Sequence, residues 1–179
     1  MEFAEGTKQP SLLHSMGHMF HVHDIDNLIT VVIAAACGGM LGLEREFAGK
    51  PAGLRTHIFV CAGSALMMIL GQEIVDQFQR QETDSAISTD PIRILQAIVL
   101  GISFLGAGTI VHQKHEQVEG LTTAATIFVT AGIGVAVAAD RLSFALTLTV
   151  LATVVLFLLK GIEDAIANLN RKRGENNRQ

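Results

Sequence analysis

Gly42–His57 reads GLEREFAGKPAGLRTH and packs Glu44, Arg45, Glu46, Lys50 and Arg55 into a short link between two long uncharged runs. Ionisable groups that dense, pinned between apolar spans, belong at a membrane surface. Lipid offers no hydrogen-bond partners, so charged side chains at a span's edge snorkel to water or pair with one another and with helix ends. Outward from this link, Asn27–Leu43, Thr56–Gln72, Ile94–Val111, Gly120–Ala139 and Leu142–Leu159 contain no Asp, Glu, Lys or Arg. Each run is about 17 to 20 residues, the length a helix needs to cross a hydrocarbon core of roughly 30 Å. The sequence therefore predicts an all-α, polytopic membrane protein with five transmembrane helices.

Composition agrees. With 179 residues, a mean hydropathy of +0.41 and 17% charged residues, the chain is too apolar for an ordinary soluble domain. Arg45, Lys50, Arg55, Lys114, Lys160, Arg171, Lys172, Arg173 and Arg178 fall on one side of the membrane, against Lys8, Arg80, Arg93 and Arg141 on the other. Positive residues are retained on the cytoplasmic side, so the N-terminus is expected outside and the C-terminus in the cytosol. The formal net charge of -4 averages a basic tail with an acidic outer loop. No basic surface interleaved with aromatics suggests nucleic acid as a partner.

Three segments follow: a periplasmic piece over 1–24, a transmembrane domain over 25–160 and a basic cytoplasmic tail over 161–179. The first piece does not resemble a cleaved signal peptide, having Glu2, Glu5 and Asp24, a single lysine and no separate apolar core, so the first span is expected to direct insertion. Within it, Leu12, Leu13, Met16, Met19 and Phe20 share one helical face and His14, His18 and His21 the opposite one, the pattern of an amphipathic surface helix. Those histidines are either a solvated face or a ladder able to ligate Zn²⁺. Cys37 and Cys61 fall inside spans, as small buried thiols rather than a disulfide framework.

Two halves of the chain resemble each other. Gly53-Leu54-Arg55-Thr56 and Ile58–Gly63 match Gly120-Leu121-Thr122-Thr123 and Ile127–Gly132, which suggests a parallel two-helix repeat. Small residues mark expected helix contacts: Gly38 with Gly42 on the first span, Ala97 with Gly101 and Gly108 on the third, Thr122, Thr126, Thr130 and Gly134 on the fourth. Such stripes let backbones approach and let hydroxyls bond across helices, and they leave room for a homo-oligomer. Asp90 and Pro91 suit a helix start, whereas Arg93, Gln96 and Ser103 share a side of the same helix and suggest an inward polar seam with Arg93 paired to a carboxylate. In the link, Glu44 or Glu46 is expected to pair with Arg55 across a turn made by Gly49, Pro51 and Gly53. No nucleophile elbow, phosphate-binding GxxxxGK[ST] loop or HExxH is present, so neither an enzyme nor a bound cofactor is expected.

Taken together, GLEREFAGKPAGLRTH, DPIRILQAIVLGISFLGAG and VEGLTTAATIFVTAGIGVA resemble the MgtC/SapB family of bacterial inner-membrane proteins, in the family's order, over Gly42–Ala136. The resemblance places motif positions on Gly42, Glu44, Arg45, Glu46, Gly53, Arg55, Thr56 and His57, on Asp90, Arg93 and Gln96, and on Gly120, Thr122 and Thr123. It implies a helical membrane protein linked to growth in low magnesium and survival in phagocytes, with F-type ATP synthase as the membrane complex to consider as partner. Ser103 and Phe128 depart from the usual residues, and the chain resembles a short form without the soluble C-terminal domain of longer relatives. Two functions remain: an interaction protein that modulates a membrane complex, or a transporter of Mg²⁺ or another small ion. The absence of acidic residues near the middle of any span favours the first.

Overall fold

The computed structural model describes residues 22–81, 91–111 and 120–176. They form α1 (Val22–Phe47), α2 (Leu54–Gln81), α3 (Pro91–Val111), α4 (Leu121–Ala138) and α5 (Leu142–Asn176), with no strand among the described residues. All five are long and apolar enough to cross a membrane, and the protein is a multi-pass membrane protein. α1 and α2 run past their uncharged cores in both directions, α3 and α5 in one, and α4 stays within its own. Helix stops are set by turn residues rather than by the onset of charge, and polar residues carry several helices out of the apolar zone. α5 likewise continues through the start of the basic tail.

Two of these stops are closed the same way. At the end of α1, Lys50 N–H donates to Arg45 O at 3.0 Å and Gly49 N–H to Glu46 O at 3.0 Å, with Gly49 at φ 66°. At the end of α4, Arg141 N–H donates to Ala136 O at 3.0 Å and Asp140 N–H to Val137 O at 3.2 Å, with Asp140 at φ 58°. Both are Schellman closures, in which a left-handed residue turns the chain and satisfies the last carbonyls.

α4 is the hub and touches each of the other four helices. α1 and α2 form an antiparallel pair beside it, α3 lies along α2 and α4, and α5 lies along α1 and α4. Ala34, Leu41, Cys61, Ile133 and Ala145 make the dry centre of the main core, and a smaller cluster around Ile102 and Ile127 joins α3 to it. Cys37 and Cys61 are free and buried.

Glycine decides the closest approaches. A Cβ on Gly38 would run into the His57 carbonyl oxygen and lie 2.6 Å from Cys61 Cβ; on Gly42 it would lie 2.7 Å from Leu54 Cα. On Gly134 it would run into the Cys61 carbonyl oxygen. So α1 and α4 both seat glycines on the backbone of α2. The α3–α4 pair echoes the α1–α2 pair: Gly42 packs on Leu54 and His57, while Gly106 packs on Ala124, which stands as far after Gly120 as His57 stands after Gly53.

Three expectations need correction. Among the described residues Gly101 and Gly108 have nothing within 4 Å of an added Cβ, so they pack none of the five helices described, and Ala97 is exposed. Arg93, Gln96 and Ser103 are exposed and do not form an inward seam; Ser103 Oγ donates to Val99 O at 2.7 Å, and Arg93 has no carboxylate partner among the described residues. Among the described helices α3 touches only α2 and α4, so it sits at the rim of the bundle. The threonines of α4 bond along their own helix, Thr126 Oγ to Thr123 O at 2.9 Å and Thr130 Oγ to Thr126 O at 2.7 Å, because the closely seated α2 backbone already uses its own acceptors.

Candidate functional site

The charged link folds into a compact polar cluster at one end of the bundle. α1 is covered by α2 on one side and by α4 and α5 on another, so two adjacent positions near its end are both buried. Glu44 and Arg45 occupy them, with side chains 2% and 4% exposed, and Arg45 Nε donates to Glu44 Oε2 at 2.5 Å. The expected pairing of Glu44 or Glu46 with Arg55 does not form. Arg55 is exposed at the start of α2 and has no ion pair among the described residues, because the Schellman turn directs α2 so that this position points away.

Glu46 instead accepts from the Leu54 N–H at 2.9 Å. A carboxylate there satisfies one free donor of α2 and complements the positive helix end. Its Oε2 occupies the space a Cβ on Gly53 would need, which explains glycine at that position. The Gly53 carbonyl then receives two donors, His57 N–H at 3.2 Å and His57 Nδ1–H at 2.9 Å. A carbonyl only accepts, so Nδ1 carries a proton. His57 is fully buried.

Three buried atoms of this cluster lack a hydrogen-bond partner among the described residues: Glu44 Oε1, Arg45 Nη1 and His57 Nε2. Buried polar atoms are almost always paired, so three together mark a place where stability was not the only requirement. Beside them, a cleft of about 150 Å³ is lined by Arg45, Lys50, Thr122 and Lys160 over Leu156 and Leu159. Lys160 Nζ also donates to the Phe47 carbonyl at 3.3 Å, tying α5 to the end of α1.

The remaining candidates are dispersed. Thr123 is buried, Thr122 is exposed at the cleft, and Thr56 is exposed and lines a second, apolar groove of about 570 Å³ between α2 and α3. Arg93 and Gln96 lie toward the opposite end of the bundle, where Asn27 Nδ2 donates to Glu73 Oε1 at 2.6 Å and clasps α1 to α2. Asp90, His14, His18 and His21 lie outside the described residues. Among the described residues no group of three or more His, Cys, Asp or Glu is placed to hold a metal ion. Sequence reasoning missed the partnership of Lys50 and Lys160 with Arg45. Only the register of α5 against α1 brings these together, and no local pattern encodes it.

Five membrane-crossing helices with a buried charged cluster at one end define a multi-pass helical membrane protein. The MgtC family model matches residues 31–165, and the chain belongs to that family. It is 36% identical over 124 residues to an uncharacterized protein of Haemophilus influenzae, covering 69% of this chain and 51% of that one. It is 35% identical over 143 residues to the putative magnesium transporter YhiD of Escherichia coli K12, covering 80% and 65%. Protein SapB of Bacillus subtilis matches at 35% over 133 residues, covering 73% and 56%. The chain thus spans between 51% and 65% of the length of these relatives. No solved structure matches it.

Proposed function

We propose that this protein is a non-enzymatic interaction protein of the bacterial inner membrane, which docks on a transmembrane helix of another complex and modulates it when magnesium is scarce. The open state of α3 carries this reading. Only 6% of its span is buried, against 44% of α4, and it borders the groove shared with α2. Lipid alone can cover an apolar helix, but Gly63, Ala97 and Gly101 in the groove remove side-chain bulk where a passing helix could bring its backbone close. Loop charge supports a cytoplasmic position for the polar cluster. F-type ATP synthase is the first partner to test, by the family resemblance.

The second reading is transport of Mg²⁺ or another small ion, and the name of the Escherichia coli relative supports it. Against it, the carboxylates described on α1 and α2 lie toward helix ends, whereas coupling sites lie near the midplane. Mild-detergent purification of wild type and Gly101→Leu separates the two. The expected result is a membrane complex recovered with wild type and lost with Gly101→Leu, at unchanged expression, together with no Mg²⁺ flux above empty proteoliposomes. Protein-dependent Mg²⁺ flux, with recovery indifferent to Gly101→Leu, would establish the transporter instead.

A further inference from the structure

The small cleft at the charged end has a chemistry that the docking reading does not use. Its polar wall comes from α1 (Arg45), the link (Lys50), the first turn of α4 (Thr122) and α5 (Lys160), and none of the described lining residues is acidic. Arg45 is the decisive group. Its side chain is 96% buried, its Nε is taken by Glu44, and its Nη1 has no partner among the described residues. A guanidinium that has already been desolvated, and still has a free donor beside a cavity, is prepared for an acceptor that arrives from outside.

The helix end adds donors. Gly120 stands at the cap of α4 at φ 93° and, being glycine, brings no side-chain cap of its own. The first-turn N–H groups of an α-helix have no partners within the helix, and the helix end carries partial positive charge. Thr122, in that turn, lines the cleft and brings a hydroxyl to it. Among the described residues, Arg45, Lys50 and Lys160 face one nearby carboxylate, Glu44, held behind Arg45; Glu46 is committed to the Leu54 N–H. The balance of these described groups is positive. The donors come from several directions, as a tetrahedral oxyanion requires and a planar carboxylate does not.

We infer that this cleft binds a phosphate-type oxyanion. Its floor, Leu156 and Leu159, belongs to the same helix as the exposed Phe157 and Leu158, so a phosphate seated here has an apolar helix surface beside it. That surroundings suits the phosphate of an anionic phospholipid headgroup, with acyl chains along α5. A soluble phosphate meets the same donors, and the experiment distinguishes the two sources.

The test uses the purified, delipidated full chain, with unfolding on heating followed by reaction of the buried Cys37 and Cys61 with a thiol dye. The probes are inorganic phosphate, dihexanoyl phosphatidylglycerol and, as a lipid without net charge, dihexanoyl phosphatidylcholine. Phosphatidylglycerol is expected to raise the midpoint saturably, and Lys50→Gln and Lys160→Gln each to weaken its binding about tenfold, the worth of one charge-assisted contact. Arg141→Gln, an exposed cation outside the cleft, should leave binding unchanged. Arg45→Gln also strands Glu44, so the two lysine variants carry the test. A saturable response to inorganic phosphate as well supports the site and shows that a soluble phosphate suffices; a response to phosphatidylglycerol alone supports it as a headgroup site. An equal response to phosphatidylcholine, no response to either anion, lysine variants that bind like wild type, or equal weakening by Arg141→Gln would overturn the inference.

Discussion

Gly132 and Gly134 stand two residues apart on α4, and the structure assigns alanine opposite effects at them. An added Cβ on Gly132 meets nothing within 4 Å, and the residue is exposed. There Gly132→Ala should stabilise the protein by about 0.5–1 kcal/mol, the difference in backbone cost between the two residues in a helix. At Gly134 the same methyl collides with the Cys61 carbonyl oxygen and would lie 3.0 Å from its carbonyl carbon and 3.2 Å from its Cα. All three atoms are backbone, so no rotamer change relieves the contact and α2 must move away from α4. Overpacking of this kind costs about 1–3 kcal/mol, and backbone on the receiving side puts Gly134→Ala at the top of that range. After the helix gain is subtracted, a loss of about 2 kcal/mol remains, roughly thirtyfold in the folded-to-unfolded ratio. The measurement is reversible unfolding by SDS in mixed micelles, followed by exposure of the buried Cys61 and Cys37 to a thiol reagent. The two variants should lie on opposite sides of wild type, about 3 kcal/mol apart. A Gly134→Ala protein as stable as Gly132→Ala would show that α4 does not seat on the α2 backbone, and the hub arrangement would fall with it.

The same unfolding assay checks the polar cluster. Arg45→Ala leaves Glu44 buried without its cation and should cost about 3–5 kcal/mol; the double variant Glu44→Gln, Arg45→Gln should recover more than half of the loss, and a single variant as stable as wild type would refute the pairing. Glu46→Ala removes the carboxylate that receives the Leu54 N–H and should cost about 1 kcal/mol, while Arg55→Ala, exposed and unpaired among the described residues, should stay within about 0.5 kcal/mol. Equal losses from those two changes would restore the Arg55 pairing read from the sequence. For orientation, a cysteine at Ser85 should react with an impermeant reagent added to intact cells and one at Glu175 only after the membrane is opened, with the native thiols buried and silent; reversed labelling would invert the proposed topology.

What the sequence made legible was what depends on composition along one dimension. Five uncharged runs give five helices because a helical crossing of a bilayer takes about twenty apolar residues, whereas the strands of a closed barrel, the other geometry that satisfies the backbone there, take about ten. Gly38 and Gly42 were also readable as a close-contact pair, and they do meet the α2 backbone. The equally glycine-rich stripe of α3 faces open space, because small-residue spacing says that a helix can approach another, not that one is present. The link shows a second limit. Opposite charges at Glu46 and Arg55 invite a pair on paper, yet the left-handed turn at Gly49 gives the carboxylate to a backbone N–H and sends Arg55 outward. The cleft formed by Arg45, Lys50 and Lys160 depends on residues far apart in sequence, whose meeting is fixed only by how α5 lies along α1.

Stability alone does not account for the charged cluster. Removing two opposite charges from water costs as much as their attraction returns, and replacing a buried pair by packed apolar residues is commonly neutral or favourable. Glu44 and Arg45 could be apolar at no loss to the bundle, and their orphan atoms, with Nε2 of His57, make the arrangement worse than a satisfied pair. The nearby structure does not let these groups escape: Gly53 is kept clear for Glu46, Gly42 for His57 and Leu54, and Lys160 is drawn to the end of α1. A site held open at that cost, beside a cationic cleft and at the end of the bundle rather than along a path through its middle, supports the proposed role in recognition over conduction. Conduction would place comparable chemistry near the midplane, between helices, where the main core is instead built from Ala34, Cys61, Ile133 and Ala145.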